Sequence, residues 1–395
     1  MGCGRRPGAY MSDLKPREFL MIPGPTPVPD AVLEAAGKHP IGHRTPECSK
    51  ALREAVDGLK WLGQTGNDAF VLTSSGTGAM EAAIANTINS SDRVLSVIVG
   101  VFGERWAKIA EAYGASVDRL VVEPGKAVSV DEVKAKIESA KKKEPYKAIT
   151  ITHNETSTGV INNLQGLASA AKNAGVLSIV DAVTSYGAVN LPIDDWGLDV
   201  VVTGSQKALM LPPGLGVIFF SSRAWQAHAK CNTPRFYFDL AKYRKSLEED
   251  TTPFTPNVSL IMGLKASLDL MRGEGLEAIF ERHVKLKTAL RAGINALGLK
   301  LFVEEDAASP TITAIIPPEG ITVDAIRKGL KQRFRIVVAD GQEALKGKIF
   351  RIGHMGYVFE RDILMTLASL EAVLSDLGHK TRPGEAVKAA VSAVR

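Results

Sequence analysis

Short apolar runs alternate with helix-like segments from about residue 48 to residue 220. The runs are rich in β-branched residues and almost continuously hydrophobic, which is typical of strands buried on both faces of a sheet. Strands that alternate with helices predict a mostly parallel sheet with helices on both sides. Ligands bind such sheets beyond the carboxyl ends of the strands, so the residues after each run are the functional candidates. The predicted strands are residues 69–73, 93–99, 147–152, 176–181, 199–203 and 216–220.

The pattern changes after Pro234, where a polar stretch leads into a long helical pattern and then into shorter mixed segments. A chain of 395 residues also exceeds what one compact core usually holds, so we expect a large α/β domain and a smaller α+β domain. The order of the C-terminal tail stays open. The predicted divisions are an N-terminal extension 1–20, a large domain 21–258, a long linking helix 259–298, a small domain 299–380 and a tail 381–395.

Charge and cysteine content argue against several classes of protein. The formal net charge is only +5 and the basic residues are scattered, so we expect no nucleic-acid partner. The basic run at 134–143 fits the exposed face and last turn of a helix better than a binding patch.

Cys3, Cys48 and Cys231 are too dispersed for a disulfide framework or a CxxC site, and without an HExxH motif no metal is expected. The few, dispersed cysteines imply a reducing compartment, so we predict a cytoplasmic protein. The longest apolar run, 215–220, is only as long as a strand, so we expect no membrane segment.

Asp181 and Lys207 each lie at the downstream end of a predicted strand, 26 residues apart. Alone, the aspartate could cap a turn and the lysine could be an ordinary surface residue. Together, two consecutive strands deliver a carboxylate and an amine to one edge of the sheet, and the LPPG turn at 211–214 holds the amine against it. Pyridoxal phosphate chemistry needs this pair. The amine forms a Schiff base with the cofactor aldehyde, and the carboxylate keeps the pyridine nitrogen protonated so that the ring accepts electrons.

The loop TSSGTGAME at 73–81 follows a strand and opens a helix. Its hydroxyls and unpaired helix N-terminal amides favour an anion, which predicts a seat for a phosphate. A Ser/Thr-Gly turn of this kind can also be no more than a helix cap. The segment is not a P-loop, because it lacks GK[ST], and Glu81 stands where a dinucleotide fingerprint requires glycine.

Several motifs in a fixed order span nearly the whole chain, and together they are far more specific than any one alone. They are PGPTPVP at 23–29, SSGTGAME at 74–81, THNETSTG at 152–159, VDAVTS at 180–185, GSQKAL at 204–209, PPGLG at 212–216, TPFTPN at 252–257 and FRIGHMG at 350–356. By these motifs the chain resembles the class V aminotransferases of fold-type I, most closely the alanine–glyoxylate and serine–glyoxylate (serine–pyruvate) group. The resemblance implies a large domain with a mostly parallel seven-stranded sheet sandwiched by helices, and a smaller α+β C-terminal domain.

The resemblance also implies a role for each matching residue around pyridoxal phosphate. Lys207 would carry the cofactor and then move the substrate proton, and Asp181 would pair with the pyridinium nitrogen. Val183 and Phe102, where many relatives have tryptophan, would cover the two ring faces, although each also fits ordinary core packing. Thr156 would approach the ring O3′. Phosphate contacts are implied for Ser75, Gly76, Thr77 and Gln206, with Thr252 a weaker candidate and Thr255 reaching over from a second subunit.

Arg351 lies in the FRIGHMG motif, after an apolar run. A guanidinium binds a carboxylate bidentately, and every amino-acid or oxo-acid substrate of a transaminase carries one. The resemblance therefore implies that Arg351 anchors the substrate carboxylate; the alternative is a structural ion pair. His43, in the IGHR loop, is a further candidate for the pocket lining.

The implied protein is a homodimer with shared active sites, in which L-alanine or L-serine gives its amino group to glyoxylate by a ping-pong exchange. The sequence does not determine the donor. One alternative is another fold-type I enzyme, such as a 2-aminoethylphosphonate transaminase, a lyase or a desulfurase, although Cys48 and Cys231 lie outside the motifs. A second is a non-catalytic small subunit of a soluble hydrogenase, a label that some relatives carry. Three scattered cysteines cannot ligate an iron–sulfur cluster, which argues against redox work.

Overall fold

The computed structural model describes residues 17–142 and 144–395, and within them it contains fourteen strands and thirteen α-helices. Residues 1–16, which include Cys3 and most of the predicted N-terminal extension, lie outside the described residues. The strands are β1 Phe19–Met21, β2 Asp68–Leu72, β3 Arg93–Ile98, β4 Ser116–Val121, β5 Ala148–Thr152, β6 Asn154–Glu155, β7 Val160–Ile161, β8 Leu177–Asp181, β9 Val200–Gly204, β10 Gly216–Phe220, β11 Lys300–Leu301, β12 Ile312–Ile316, β13 Ile336–Asp340 and β14 Phe350–Gly353. The helices are α1 Asp30–Gly37, α2 Pro46–Leu62, α3 Gly76–Thr87, α4 Val101–Ala112, α5 Val130–Lys141, α6 Leu164–Asn173, α7 Ser222–His228, α8 Leu240–Leu247, α9 Val258–Glu274, α10 Leu276–Ala296, α11 Val323–Phe334, α12 Glu360–Asp376 and α13 Glu385–Ala393.

The larger sheet has seven strands in the order β2-β10-β9-β8-β5-β3-β4. The five strands from β9 to β4 run parallel, and β10 is antiparallel to both of its neighbours. The predicted seven-stranded, mostly parallel sheet is confirmed, and the six predicted strands correspond to β2, β3, β5, β8, β9 and β10. The edge strand β4 was missed, because its sequence SVDRLV mixes polar and apolar residues and none of them is fully buried.

Apolar side chains cover both faces of this sheet, and β9 shows how one strand serves both. Val201 packs into the core that includes α2, α6 and α9, whereas Val200 and Val202 pack into the core that includes α3, α4 and α7. Successive strand residues point to opposite faces, so a strand between two helical layers must be apolar throughout. Each fully buried aliphatic side chain contributes about 1.5–3 kcal/mol to the stability of the fold. This burial holds the strand in position, and with it the polar residues that follow the strand.

A second sheet has the strand order β1-β13-β14-β12-β11 and a separate apolar core with α10, α11, α12 and α13. Its N-terminal strand β1 runs parallel to β13, with Phe19 opposite Ile336. The sequence did not predict this strand, because it has only three residues and its partner lies at the other end of the chain. The predicted domain boundaries stay predictions.

The predicted single helix over 259–298 is wrong at one point, since Gly275 separates α9 from α10. Its φ of 88° is a left-handed conformation that favours glycine and ends the helix. Within the predicted C-terminal tail, α13 packs against α10 and buries Ala386 and Ala390. Of the helices in the described ranges, none has both the length and the apolar character required to span a membrane.

A two-stranded hairpin of β6 and β7 connects the two sheets. The backbone carbonyl of Gly159 in its turn accepts from the amide of Ser309 at 3.0 Å. The side chain of Asn154, on β6, donates to the hydroxyl of Thr311 at 2.8 Å, just before β12. The hairpin thus lies where the carboxyl edge of the larger sheet meets the second sheet.

Candidate active site

Asp181 and Lys207 line one cavity at the carboxyl edge of the larger sheet. Asp181 is the last residue of β8, and Lys207 follows the end of the neighbouring parallel strand β9. The loop after β9 is held by Ser205, whose hydroxyl donates to the carbonyl of Pro212 at 2.8 Å and accepts from the amide of Leu215 at 3.1 Å. The strand order and this closed loop therefore bring the two predicted residues together.

The N-terminal segment passes directly over the lysine. The Nζ of Lys207 donates to the carbonyl oxygen of Pro23 at 2.6 Å. The next residue, Gly24, has a φ of 131°, and a Cβ built there would lie 2.7 Å from Nζ. Only glycine allows the backbone to approach the amine this closely.

Burial lowers the pKa of Lys207 to about 8. The negative charge of Asp181 opposes this change, while the positive charges of Arg351 and Arg105 add to it. A larger fraction of this amine is therefore neutral near pH 7 than of an ordinary lysine, and the neutral amine is the nucleophilic form.

Burial has the opposite effect on Asp181, raising its pKa to about 7. Its Oδ1 accepts the amide of Val183 at 2.8 Å, which partly offsets the rise, while the charge of Glu155 increases it. A desolvated carboxylate of this kind is stabilised by a cation placed beside it. The site therefore favours a ligand that brings a positive group to Asp181.

The N-terminus of α3 forms another wall of the cavity. Ser75 caps this helix, accepting the amide of Gly78 at 3.4 Å, and Ser75, Gly76 and Thr77 all line the cavity. The first amides of a helix have no partner within it and carry the positive end of the helix dipole. This wall can accept an anionic group.

Phe102 and Val183 also line the cavity and present apolar surface to it. Phe102 is the second residue of α4, and Val183 follows β8. A Cβ on Gly76 would lie 3.0 Å from Cγ2 of Val183, so glycine leaves room between the helix and this side chain. An aromatic and an aliphatic side chain suit the faces of a flat ring.

Glu155 holds α4 in place, and sequence reasoning gave it no role. Its Oε2 accepts the amides of Phe102 and Gly103 at 3.0 and 3.2 Å, and its Oε1 accepts from the amide and hydroxyl of Ser157 at 3.1 and 2.5 Å. Burial raises the pKa of Glu155, and these hydrogen bonds oppose the rise. A signal was present in the sequence, because Glu155 lies in the THNETSTG motif.

The cavity brings together nine of the predicted site residues and adds four that were not predicted. The added residues present an amide, a hydroxyl, a guanidinium and a thioether. The predicted lining residues are Ser75, Gly76, Thr77, Phe102, Thr156, Asp181, Val183, Gln206 and Lys207, and the added ones are Met80, Arg105, Asn154 and Thr184.

Arg351 is buried on β14, between β12 and β13, next to the cavity. Its Nε and Nη2 donate to the carbonyl of Asp340 at 2.8 and 2.6 Å, and its Nη1 donates to the carbonyl of Thr156 at 2.7 Å and to Oε1 of Gln342 at 3.3 Å. Within the described ranges no carboxylate forms an ion pair with Arg351, which argues against the alternative that this arginine is part of a structural ion pair. Burial lowers its pKa to about 10, which leaves it cationic at neutral pH.

Besides Arg351, three predicted residues do not line the cavity of this chain. Thr255 is exposed, while Thr252 is buried and donates its hydroxyl to the carbonyl of Phe254 at 2.7 Å. His43 is half-buried in the loop before α2, where the neighbouring Arg44 donates to the carbonyl of Thr252 at 2.7 Å. The contact between Arg44 and Thr252 brings the loop of His43 next to the segment that contains Thr252 and Thr255.

The polar atoms that line the cavity fit the predicted cofactor. Two buried amide oxygens that line it, Oδ1 of Asn154 and Oε1 of Gln206, have no hydrogen-bond partner in the described part of the chain. Leaving such an atom unpaired costs about 1–3 kcal/mol, which is typical of a site completed by a bound polar group. Over residues 17–142 and 144–395, no group of three or more His, Cys, Asp or Glu side chains is arranged to hold a metal ion.

Known proteins match the chain over nearly its whole length. The family described as Aminotransferase class-V matches residues 19–362. A protein of Synechococcus sp. (strain PCC 6716) named "Soluble hydrogenase, small subunit" is 50% identical over 95% of this chain and 98% of its own. The serine–glyoxylate aminotransferase of Arabidopsis thaliana is 35% identical over 95% of this chain and 94% of its own. The crystal structure of ureidoglycine–glyoxylate aminotransferase from Bacillus subtilis has a TM-score of 0.90 at 33% identity and covers 96% of this chain and 98% of that one. This chain therefore belongs to the class V aminotransferases.

Proposed function

We propose that the protein is a pyridoxal-phosphate-dependent transaminase that moves the amino group of a small amino acid, L-alanine or L-serine, to glyoxylate. The observation that carries the proposal is the placement of Asp181 and Lys207 in one cavity at the carboxyl edge of the sheet. Family membership supports the reaction class.

The side chains divide the work of holding the cofactor. Pyridoxal phosphate, when bound, supplies an aldehyde that combines with amino groups and a ring that accepts the electrons of a substrate carbanion. Asp181 would hold the ring nitrogen and favour its protonated form, because a cation stabilises the buried carboxylate. Ser75, Gly76 and Thr77, at the N-terminus of α3, would hold the phosphate, and Phe102 would cover a face of the ring.

Lys207 performs the proton transfer. With a pKa of about 8 its amine exchanges a proton readily near neutral pH, so Nζ takes the proton from the donor Cα and returns it during the exchange. The closeness of the Pro23 carbonyl to Nζ limits where the free amine can lie. The donor leaves as its 2-oxo acid, and glyoxylate accepts the amino group to become glycine.

Arg351 anchors the carboxylate that donor and acceptor share. Four of the five N–H groups of a guanidinium already have partners here, and the contact with Gln342 is the longest at 3.3 Å. We expect a substrate carboxylate to replace that contact, since a charge-assisted pair is stronger than a bond to a neutral amide.

We propose glyoxylate as the acceptor because the names of the similar proteins from Arabidopsis thaliana and Bacillus subtilis both include it. Serine as donor rests on the name of the Arabidopsis relative, and alanine on the sequence resemblance. A cytoplasmic location stays a prediction.

A homodimer with shared sites is part of the proposal. Thr255 is exposed and lies outside this chain's own cavity, as a residue that reaches a partner's phosphate would. Next to it, Phe254 stacks on Tyr237 at 5.1 Å between ring centroids and contacts Phe236, which is 72% exposed. Exposed aromatic side chains of this size are typical of protein interfaces.

A matrix of donors and acceptors tests the proposed reaction. Purified protein with pyridoxal phosphate is incubated with alanine, serine or aspartate and with glyoxylate, pyruvate or 2-oxoglutarate, and both products are quantified. We expect glycine to form from alanine or serine with glyoxylate. Formation of glycine from aspartate alone would overturn the donor assignment, and transfer to none of the acceptors would overturn the reaction class.

The two alternatives have less support. A desulfurase requires a thiol over the cofactor, but Cys48 and Cys231 are buried and do not line the cavity. The hydrogenase interpretation rests on a relative's name. Hydrogen-exchange activity that stays with homogeneous protein through purification would support that name, and sulfide release from L-cysteine would support a desulfurase.

A further inference from the structure

Arg105 lies on α4, one turn after Phe102, and reaches into the cofactor cavity. Its Nη1 donates to the hydroxyl oxygen of Thr77 at 3.0 Å, at the start of α3. The sequence motifs assign no role to this arginine. The contact with Thr77 places its guanidinium at the N-terminus of α3, where an anion would bind.

The hydrogen bond with Arg105 determines where the Thr77 hydroxyl can donate. A threonine hydroxyl has one hydrogen to donate and two lone pairs that accept. Because the guanidinium occupies an acceptor position, the single hydrogen must point away from Arg105. In a residue that lines the cavity, that hydrogen is available to an anion at the helix N-terminus.

The charge balance of the cavity points the same way. A phosphate monoester carries a charge of about −1.5 to −2 near pH 7, whereas a helix N-terminus supplies about half a positive charge. Among the described residues that line the cavity, the cationic side chains are Arg105 and Lys207. Lys207 is assigned to the carbonyl end of the cofactor, so Arg105 is the cation left for the phosphate.

Arg105 forms no ion pair with an acidic side chain of the described residues, and its charge interaction with a carboxylate is the one that lowers the pKa of Asp181. The guanidinium carbon of Arg105 lies 4.7 Å from the ring centroid of Phe102, a cation–π contact that holds the side chain in place. A half-buried cation without an acidic partner beside a ligand cavity suits an anionic ligand.

We propose that Arg105 balances the phosphate of the bound cofactor through the Thr77 hydroxyl, and that it thereby makes the protein select pyridoxal phosphate over unphosphorylated pyridoxal. The proposal rests on the proposed function, in that it requires a protein that binds pyridoxal phosphate. Arg105 is then a positioning residue for the cofactor rather than a group that takes part in proton transfer.

Affinity measurements on cofactor-free protein test this, with pyridoxal phosphate and pyridoxal titrated separately. Arg105→Gln removes the cation and no longer orients the Thr77 hydrogen, which is the donor to the phosphate. The affinity for the phosphorylated form should therefore fall by about 10- to 100-fold, the usual range when a hydrogen bond to a charged group is lost, and pyridoxal binding should be unchanged. Arg105→Lys, which keeps the charge, should have a smaller effect. Thr77→Val should resemble Arg105→Gln, and the double variant should lose less than the sum of the two.

Lys108→Gln, an exposed neighbour on α4, serves as the control and should change neither affinity. Equal losses for both ligands in Arg105→Gln would show that the arginine acts only through Phe102 and would overturn the proposal. Unchanged affinity for pyridoxal phosphate would overturn it as well. If the wild-type protein binds neither ligand, the proposed function fails instead.

Discussion

Replacing Asp181 by asparagine should stabilise the cofactor-free protein while removing its ability to hold the cofactor productively. The carboxylate is buried, and burial raises its pKa from 3.8 to about 7. Each tenfold change in the acid dissociation constant corresponds to about 1.4 kcal/mol, so ionised Asp181 destabilises the fold by up to about 4 kcal/mol. Asparagine keeps a carbonyl oxygen for the Val183 amide and carries no charge.

The pH dependence follows from the direction in which the pKa of Asp181 changes on folding. The folded-state pKa lies above the unfolded one, so the destabilisation is complete above about pH 7 and vanishes as the pH falls toward about 4. In thermal melts at fixed protein concentration, cofactor-free Asp181→Asn should unfold several degrees higher than wild type near pH 8. The difference should shrink steadily as the buffer is taken to about pH 5.

Asp199 provides the matched control, because it is a buried carboxylate directly before β9 with a full set of partners. It accepts from the amide of Ser178 at 2.9 Å and pairs with Arg223 at 3.2 Å. Burial raises the pKa of Asp199 as well, but these contacts oppose the rise. Asp199→Asn also loses the ion pair with Arg223, so it should raise the unfolding temperature less than Asp181→Asn does. An Asp181→Asn protein that melts below wild type near pH 8, or at an unchanged offset at every pH, would refute the reasoning.

Three further substitutions address other parts of the site. Arg351→Lys should raise KM for donor and acceptor about 10- to 100-fold by losing the planar fork; unchanged KM values in steady-state assays would remove Arg351 from substrate binding. Glu155→Gln places an N–H against the amides that begin α4 and should lower both the melting temperature and the cofactor affinity, whereas wild-type values for both would contradict its capping role. Gly24→Ala adds a Cβ within 2.7 Å of Nζ of Lys207 and should abolish turnover with a normal circular dichroism spectrum, while Gly37→Ala, with open space around it, should be silent.

The sequence predicted the larger sheet well because its inner strands are apolar on both faces. It missed β4, which lies at the edge and keeps polar residues, and β1, whose stability comes from pairing with Ile336–Asp340 far along the chain. The helix break at Gly275 was visible as a glycine, but a mid-helix glycine is often tolerated.

Within the site, residues that carry chemistry in recognisable motifs were predicted, and the structure places nine of them around one cavity. The roles of Arg105 and Glu155 were not predicted, because they depend on partners far away in sequence, although the THNETSTG motif marked Glu155 as a candidate. Arg105 acts on Thr77 across 28 residues, and Glu155 caps a helix that begins more than 50 residues before it. The sequence shows which residue types follow the strands. The contacts among α3, α4 and the β6–β7 hairpin become visible only in the folded structure.

The most direct test of the central claim is to identify the residue that holds the cofactor. Protein loaded with pyridoxal phosphate is reduced with borohydride, digested, and mapped by mass spectrometry, in parallel with assays of glycine formation. The structure predicts that the cofactor is found on Lys207 and that Lys207→Ala neither retains it covalently nor forms glycine. A cofactor attached to a different lysine, or full turnover by Lys207→Ala, would contradict the assignment.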